Sequence, residues 1–373
     1  MGSWRQRRTV DRRSVLQSSG RNSDRIIGFF QRMGKEGELY RPRHLGDGIV
    51  LPALVGPHSR ELRSVLPDDA GLLRLEEGEA PDFQVDLSLI ERRRAQGVRI
   101  FNGEILYVRS SAQVGGALTI DLGQCKFFAF ATGLLRLEAE LTSRRGPGRF
   151  WSRAVGSADR MLTLGALTPI AVGCAAVTLF TGPDGYYIPI QQRSAEVLGL
   201  SQMRVAAPTF GLESNRVGAI ASRYGLLAYN FLREFGEELF DLEGVTHAAT
   251  QRRSHPDWLL ELPEVRMLHE EIQNERFELY TTGYCLIPSD AVLSISLLGI
   301  SHDPKFFERV VSTSLANWES TTREGHVVAI EFVRLDDNRL DEWAESSKLG
   351  AATAHAIDRA REVLPLLTQA QTS

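Results

Sequence analysis

Cysteine is scarce in this chain. Only three occur in 373 residues, Cys125, Cys174 and Cys285, far apart and in no metal-ligand spacing. An odd, scattered set argues against a disulfide framework and a structural zinc, and it points to a reducing, cytoplasmic setting. A basic surplus is missing as well: 43 Lys and Arg face 47 Asp and Glu, a formal net charge of −4. Dedicated nucleic-acid binders carry an excess of Lys and Arg, so that class is disfavoured. Between residues 161 and 182 there is no charged side chain, a length that would span a bilayer. Gly165, Pro169 and Gly173 interrupt it, and its β-prone end runs into a turn. A buried strand preceded by an apolar loop or strand fits better, and no membrane partner is expected.

The common catalytic signatures are absent too. There is no G-x-x-x-x-G-K-[ST] phosphate loop, and no G-x-G-x-x-G opening a helix after a strand. Neither a G-x-S-x-G elbow nor an H-E-x-x-H pair occurs. The eight histidines are dispersed, and His269 has no second histidine one turn on. Conventional kinases, dehydrogenases, serine hydrolases and zincins are therefore disfavoured.

What is present is ordinary globular composition, 43% hydrophobic and 24% charged, over a length that favours two domains. Residues 1–25 hold seven arginines and read as a disordered, solvated basic tail. A transit peptide or a weak anion-binding arm is the other reading of that tail. Residues 26–150 read as a small α+β domain, closed by the basic Gly/Pro stretch at 142–149. Helices are expected at 59–65 and 87–96, and strands at 98–108 and 117–122. Residues 151–373 alternate strands and helices: strands at 177–180 and 186–191 around a Pro-Asp-Gly turn, then a helix at 222–239. Strands at 276–287 and 291–300 follow, then a helix at 305–315, a strand at 327–334 and an Ala-rich helix at 351–366. The fold class is thus α/β (α+β), with a mixed sheet and helices on both faces.

One segment carries candidate chemistry, Arg233-Glu234-Phe235-Gly236-Glu237-Glu238-Leu239. On a helix its three glutamates fall within an arc of about 100°. Ala228, Leu232, Phe235 and Leu239 cluster opposite and would dock on a sheet. Carboxylates this close repel one another unless a cation or a basic partner compensates, and Mg²⁺ favours such oxygen ligands. Arg233 can pair with Glu237 and restrain it. A plain solvated acidic face is an equal alternative.

Arg233 to Glu238 resembles the R-E-U-x-E-E core of the Nudix signature, U being a bulky apolar residue. Residues 176–194 resemble that family's opening hairpin, which runs strand, D-G turn, strand and ends in an arginine, here Arg193. Residues 208–213 sit where the family has its Pro-Gly-Gly loop. The resemblance covers roughly residues 165–366, and the arrangement looks like uncharacterised actinobacterial proteins with an extra N-terminal domain. Departures exist: the full signature would put Gly at 219 and Glu at 225, where this chain has Ala219 and Gly225. Phe240 and Asp241 replace the closing Gly and apolar residue.

The resemblance implies a Nudix-like α/β/α sandwich and a Mg²⁺ (or Mn²⁺) ion held by Glu234, Glu237 and Glu238. Glu237, Glu238 and Arg233 would be the catalytic groups, while Gly211 and Glu213 would contact substrate; apart from the resemblance, the amphipathic ring of Trp258 could stack on a base. The implied activity is hydrolysis of a nucleoside diphosphate linked to another group, with a nucleotide-derived small molecule as partner. Because the loops depart from the signature, a second reading stands beside it: a catalytically inactive module that binds a nucleotide or protein in a regulatory role. A third, nucleic-acid binding through the arginine tail, is opposed by the net charge. Trp258 is expected to pack its own loop rather than a base, and Glu270, Glu271 and Glu275 to form a charged helix end rather than a distal base. Crowding of the three glutamates should raise at least one carboxyl pKa.

Overall fold

The computed structural model describes residues 23–33, 35–55, 62–66, 71–76, 78, 80–114, 117–143, 168–200, 202–214, 224–242, 258–315, 319, 322–323, 326–327 and 330–371. The arginine tail up to residue 22 and most of the 142–149 boundary lie outside them.

Among the described residues the strands are β1 (Leu39–Tyr40), β2 (Leu51–Leu54), β3 (Arg63–Ser64), β4 (Leu73–Leu75), β5 (Glu104–Val114) and β6 (Ala117–Lys126). Then come β7 (Ala171–Gly182), β8 (Gly185–Gln192), β9 (Arg204–Ala206), β10 (Thr209–Gly211), β11 (Phe277–Ile287) and β12 (Val292–Ser301). β13 (Thr322–Arg323) and β14 (His326–Val327) form a separate ladder, and β15 (Glu331–Arg334) is last. The helices are α1 (residues 23–32), α2 (Leu87–Ala95), α3 (Phe127–Thr142), α4 (Leu226–Phe240), α5 (Trp258–Glu261), α6 (Pro263–Gln273), α7 (Pro304–Thr313), α8 (Asn338–Glu345) and α9 (Ala351–Gln371).

One mixed, open sheet runs β1-β2-β11-β12-β7-β5-β6-β4, with β10 and β8 also on β7 and β9 and β15 on β8. β7 and β12 pair in parallel over ten positions, from Ala171↔Val292 to Phe180↔Ser301. Strands from the first 143 residues share this sheet: Tyr107 pairs with Ala171, and Val108 donates to the Ile170 carbonyl.

Period-two alternation sorts the central strands between two cores. On β7, Val172, Cys174, Ala176 and Phe180 face one core, while Ala175, Val177 and Leu179 face the other. The first core is closed by α1, α3 and α4–α7, the second by α8 and α9. Along β11 the phase changes. Phe277 and Leu279 lie in the first core, and so do Tyr284 and Leu286, an odd pair followed by an even one. A bulge between Thr281 and Gly283, with Gly283 at φ 144°, makes the swap.

Three element expectations need correction. The 59–65 helix is not there in its described part: Arg63–Ser64 is a strand on Thr281 and Tyr280 of β11, because an open sheet edge takes its backbone. The 98–108 strand begins only at Glu104. Asn102 and Gly103 are used instead at the start of α3, where Asn102 Oδ1 accepts from Phe128 N and Gly103 O from Phe127 N. The 327–334 strand is split, since Val327 pairs with Thr322 and only Glu331–Arg334 joins β8. Among the described residues no helix is long and apolar enough to cross a membrane; residues 171–182 are β7, and 161–167 lie outside the described set.

Candidate functional site

The glutamate helix is α4, and it is buried on nearly every side. Leu227, Ala228, Phe231, Leu232, Phe235 and Leu239 pack into the core as their spacing implies. Gly236 allows close contact with α6, since a Cβ there would meet Val265 Cγ2 at 2.8 Å. The helix ends where Asp241, at φ 55°, turns its N–H back onto the Gly236 carbonyl.

The polar face is not a solvated one. Glu237 and Glu238 are 6% and 2% exposed, and the Glu234 side chain 12%. Burial of three carboxylates needs compensation, and two buried arginines supply it. Arg233 Nη1 donates to both Glu237 oxygens, at 3.1 and 3.2 Å, while its Nη2 reaches Glu234 Oε1 at 2.5 Å. Arg193, at the end of the β7–β8 hairpin, lies 3.4 Å from Glu238 Oε1 and is also paired with Glu319. Glu238 Oε2 accepts from Gln191 Nε2 at 2.7 Å and from the Thr209 N–H at 3.0 Å.

These contacts fix the electrostatics. Burial, opposed by Arg193 and assisted by Glu319, pushes Glu238 up to about 8. Burial also holds Glu234 well above the usual carboxylate range, with Glu237 and Glu238 adding to the shift. The direction is the one that crowding predicts, but desolvation is the larger cause. Cys174 on β7 is raised by burial and, to a lesser degree, by the nearby Glu234 charge.

The structure brings some of the expected site residues together and separates others. Glu213 joins the cluster at its edge, with Oε2 3.7 Å from Arg233 Nη1 and its N–H on Asn230 Oδ1 at 3.0 Å. Gly211 lies in β10, opposite Gly173 of β7. Residues 208–213 therefore include a strand of the sheet, entered through a cis Ala207–Pro208 bond, rather than a free loop. Trp258 is 8% exposed, in α5 and part of the first core, so no open ring face is offered to a base.

Glu271 needs a correction. It lies in the charged end of α6, as expected, but that end is not plain: Glu271 is 1% exposed and clamped by Arg276 at 2.8 Å and Arg309 at 3.1 Å. Sequence reasoning missed Gln191, Glu319 and Asn230 in the glutamate cluster. Arg193 was legible as the arginine closing the hairpin and Glu238 as a site residue, but their pairing across 45 residues carried no signal.

The Mg²⁺ or Mn²⁺ that the resemblance implies would need several carboxylate oxygens facing one point at close to 2 Å. Guanidinium groups take that role here. Glu237 spends both oxygens on Arg233, and Glu238 spends both on Arg193, Gln191 and Thr209. Among the described residues no group of three or more His, Cys, Asp or Glu is arranged to hold a metal ion. The donor set as folded does not fit the ion.

Comparison with known proteins adds no family: no family model matches the chain, and no curated protein matches it at a significant level.

Proposed function

We propose that this chain is a divergent Nudix-like module that acts in a regulatory role by binding rather than by metal-dependent hydrolysis. The α/β architecture with helices over both cores is compatible with the sandwich that the resemblance implies. The observation that carries the reading is the saturation of Glu237 and Glu238 by Arg233, Arg193, Gln191 and the Thr209 N–H. Two arginines already engage the acidic face, and through Gln191 and Thr209 its carboxylates lock α4 to β8 and β10. Nudix-like folds carry function only through the site grafted on them, and this site is built as an ion-pair clamp.

The test is an incubation of the full chain with Mg²⁺ and a panel of dinucleotides and nucleotide sugars, beside a thermal-shift screen. No turnover above a Glu238→Gln control is expected, together with stabilisation by a bound ligand. Turnover that the Glu238→Gln variant loses would overturn the reading.

One observation favours the hydrolase alternative. Glu234, Glu237, Glu238 and Glu319 act on one another electrostatically, and among the described residues these four carboxylates outnumber the two guanidinium groups, Arg233 and Arg193, that meet them. A Mg²⁺-dependent pyrophosphohydrolase of a nucleoside diphosphate would draw on that surplus, provided the arginines release the carboxylates.

A further inference from the structure

A cavity of about 1100 Å³ opens away from the glutamate helix, between α1, the end of α2, α3, the segment 195–203, the β11–β12 turn and the end of α8. Its size suits a small organic molecule. Its charge is one-sided. Six carboxylates line it, Asp24, Asp47, Glu138, Glu196, Asp290 and Glu345, against a single cation among the described lining residues, Arg93. That arginine is already bonded to Glu138, and Glu196 is paired with Arg99 outside the wall. Asp24, Asp47, Asp290 and Glu345 have no cationic partner among the described residues.

Gln202 is an independent pointer to a ligand. It lines the same cavity, is 6% exposed, and is held at φ 64°, a conformation that costs a non-glycine residue energy. Its backbone is satisfied: the N–H donates to Arg193 O and the carbonyl accepts from Gln192 Nε2. Its side-chain amide makes no hydrogen bond to the described residues, so this nearly buried residue of the cavity wall keeps its amide free for a ligand. Between these polar groups the wall is apolar, with Ile27, Leu134, Met203 and Ile287. Asp290 sits in the turn at one end, where burial and the neighbouring Glu138 charge lift its carboxyl to about 6.

We infer that this cavity is a binding site for a small organic cation, an ammonium group carried on an apolar body. The ammonium would meet Asp290, the Gln202 amide would take a polar substituent, and the apolar wall would cover the body. A diphosphate does not suit this wall, since the four carboxylates without a cationic partner among the described residues repel it. The inference rests on the reading of the chain as a module that acts by binding, and it names the ligand class.

Calorimetric titration of the full chain with 2-(4-hydroxyphenyl)ethylammonium tests it, beside the neutral 2-(4-hydroxyphenyl)ethanol and the anionic 3-(4-hydroxyphenyl)propionate. The ammonium probe should bind saturably and at least tenfold more tightly than either analogue. Asp290→Asn should weaken it about tenfold, and Gln202→Leu should weaken it less, with circular dichroism confirming that both variants fold. Equal affinity for alcohol and ammonium, no binding of the ammonium, or unchanged affinity in Asp290→Asn would overturn the assignment. A nucleotide that binds where the ammonium fails would sink this inference and leave the binding-module reading standing. Metal-dependent turnover lost in Glu238→Gln would sink that reading instead.

Discussion

Two acidic regions of this molecule have opposite fates. On α4 the carboxylates are buried and bonded to two arginines, one side-chain amide and a backbone N–H. Around the cavity they line open space, and four of them meet no cation among the described residues. Similar residue types thus serve cohesion in one place and remain available in the other. The difference lies in their partners, because a buried carboxylate persists only where the fold delivers a cation to it.

The largest effect should come from breaking the clamp. Arg233→Met leaves Glu237 and Glu234 buried without their cation, and should cost about 3–5 kcal/mol in urea denaturation. Arg233→Lys, keeping the charge but not the two-headed geometry, should recover part of that loss. If Arg233→Met unfolds at the wild-type midpoint, the ion pairs are not structural.

The second clamp joins α6 to β11 and α7 through Glu271. Glu271→Gln weakens charge-assisted bonds to Arg276 and Arg309, for a loss of about 1.5–3 kcal/mol. Both arginines are nearly half exposed and can turn to water, so this loss should be smaller than the first. A larger loss than in Arg233→Met would invert the ranking.

Acidity sharpens the contrast in a third way. Glu238 is raised in the folded state to about 8, against an ordinary value of 4.5. The folded protein therefore binds a proton that the unfolded chain releases, and this contribution is full below about pH 4.5 and lost as pH rises through about 8. Glu234 is raised in the same direction. The melting temperature should fall between pH 5 and 8, and Glu238→Gln should flatten that slope. A wild-type melting temperature that climbs across the window would show that Glu238 is ionised and stabilised there.

The smallest effect belongs to the exposed pair Arg334–Asp184, 2.9 Å apart beside the β7–β8 turn. Arg334→Ala should cost less than about 1 kcal/mol, since water screens both partners. A cost near that of Glu271→Gln would mean that exposure does not separate the two classes.

Much of this architecture was readable from periodicity. The strands at 277–287 and 292–301, the hairpin at 171–192 and the helices at 87–95 and 226–240 lie within a few residues of their expected positions, except that the first hairpin strand starts six residues earlier. Alternation and turn chemistry are local, so one chain is enough to show them. What joins the elements was not local. The burial of Glu238 depends on Gln191, Arg193 and Thr209, all at least 29 residues away, whereas Glu237 meets Arg233 one turn back, as its spacing implied. A helical wheel shows that three glutamates share a face, but not whether solvent, a metal or an arginine meets it. Glu271 taught the same lesson, since its second partner, Arg309, lies 38 residues on. The cavity had no sequence signal, because its six acidic residues come from six separate segments.

The central claim is that the α4 carboxylates are held by arginine and hold no divalent ion. Calorimetric titration of the full chain with Mn²⁺, in parallel with Glu237→Gln, tests it most directly. The account predicts no saturable site that depends on Glu237, and matching isotherms for the two proteins. One equivalent of Mn²⁺ bound by the native chain and lost in Glu237→Gln would contradict it.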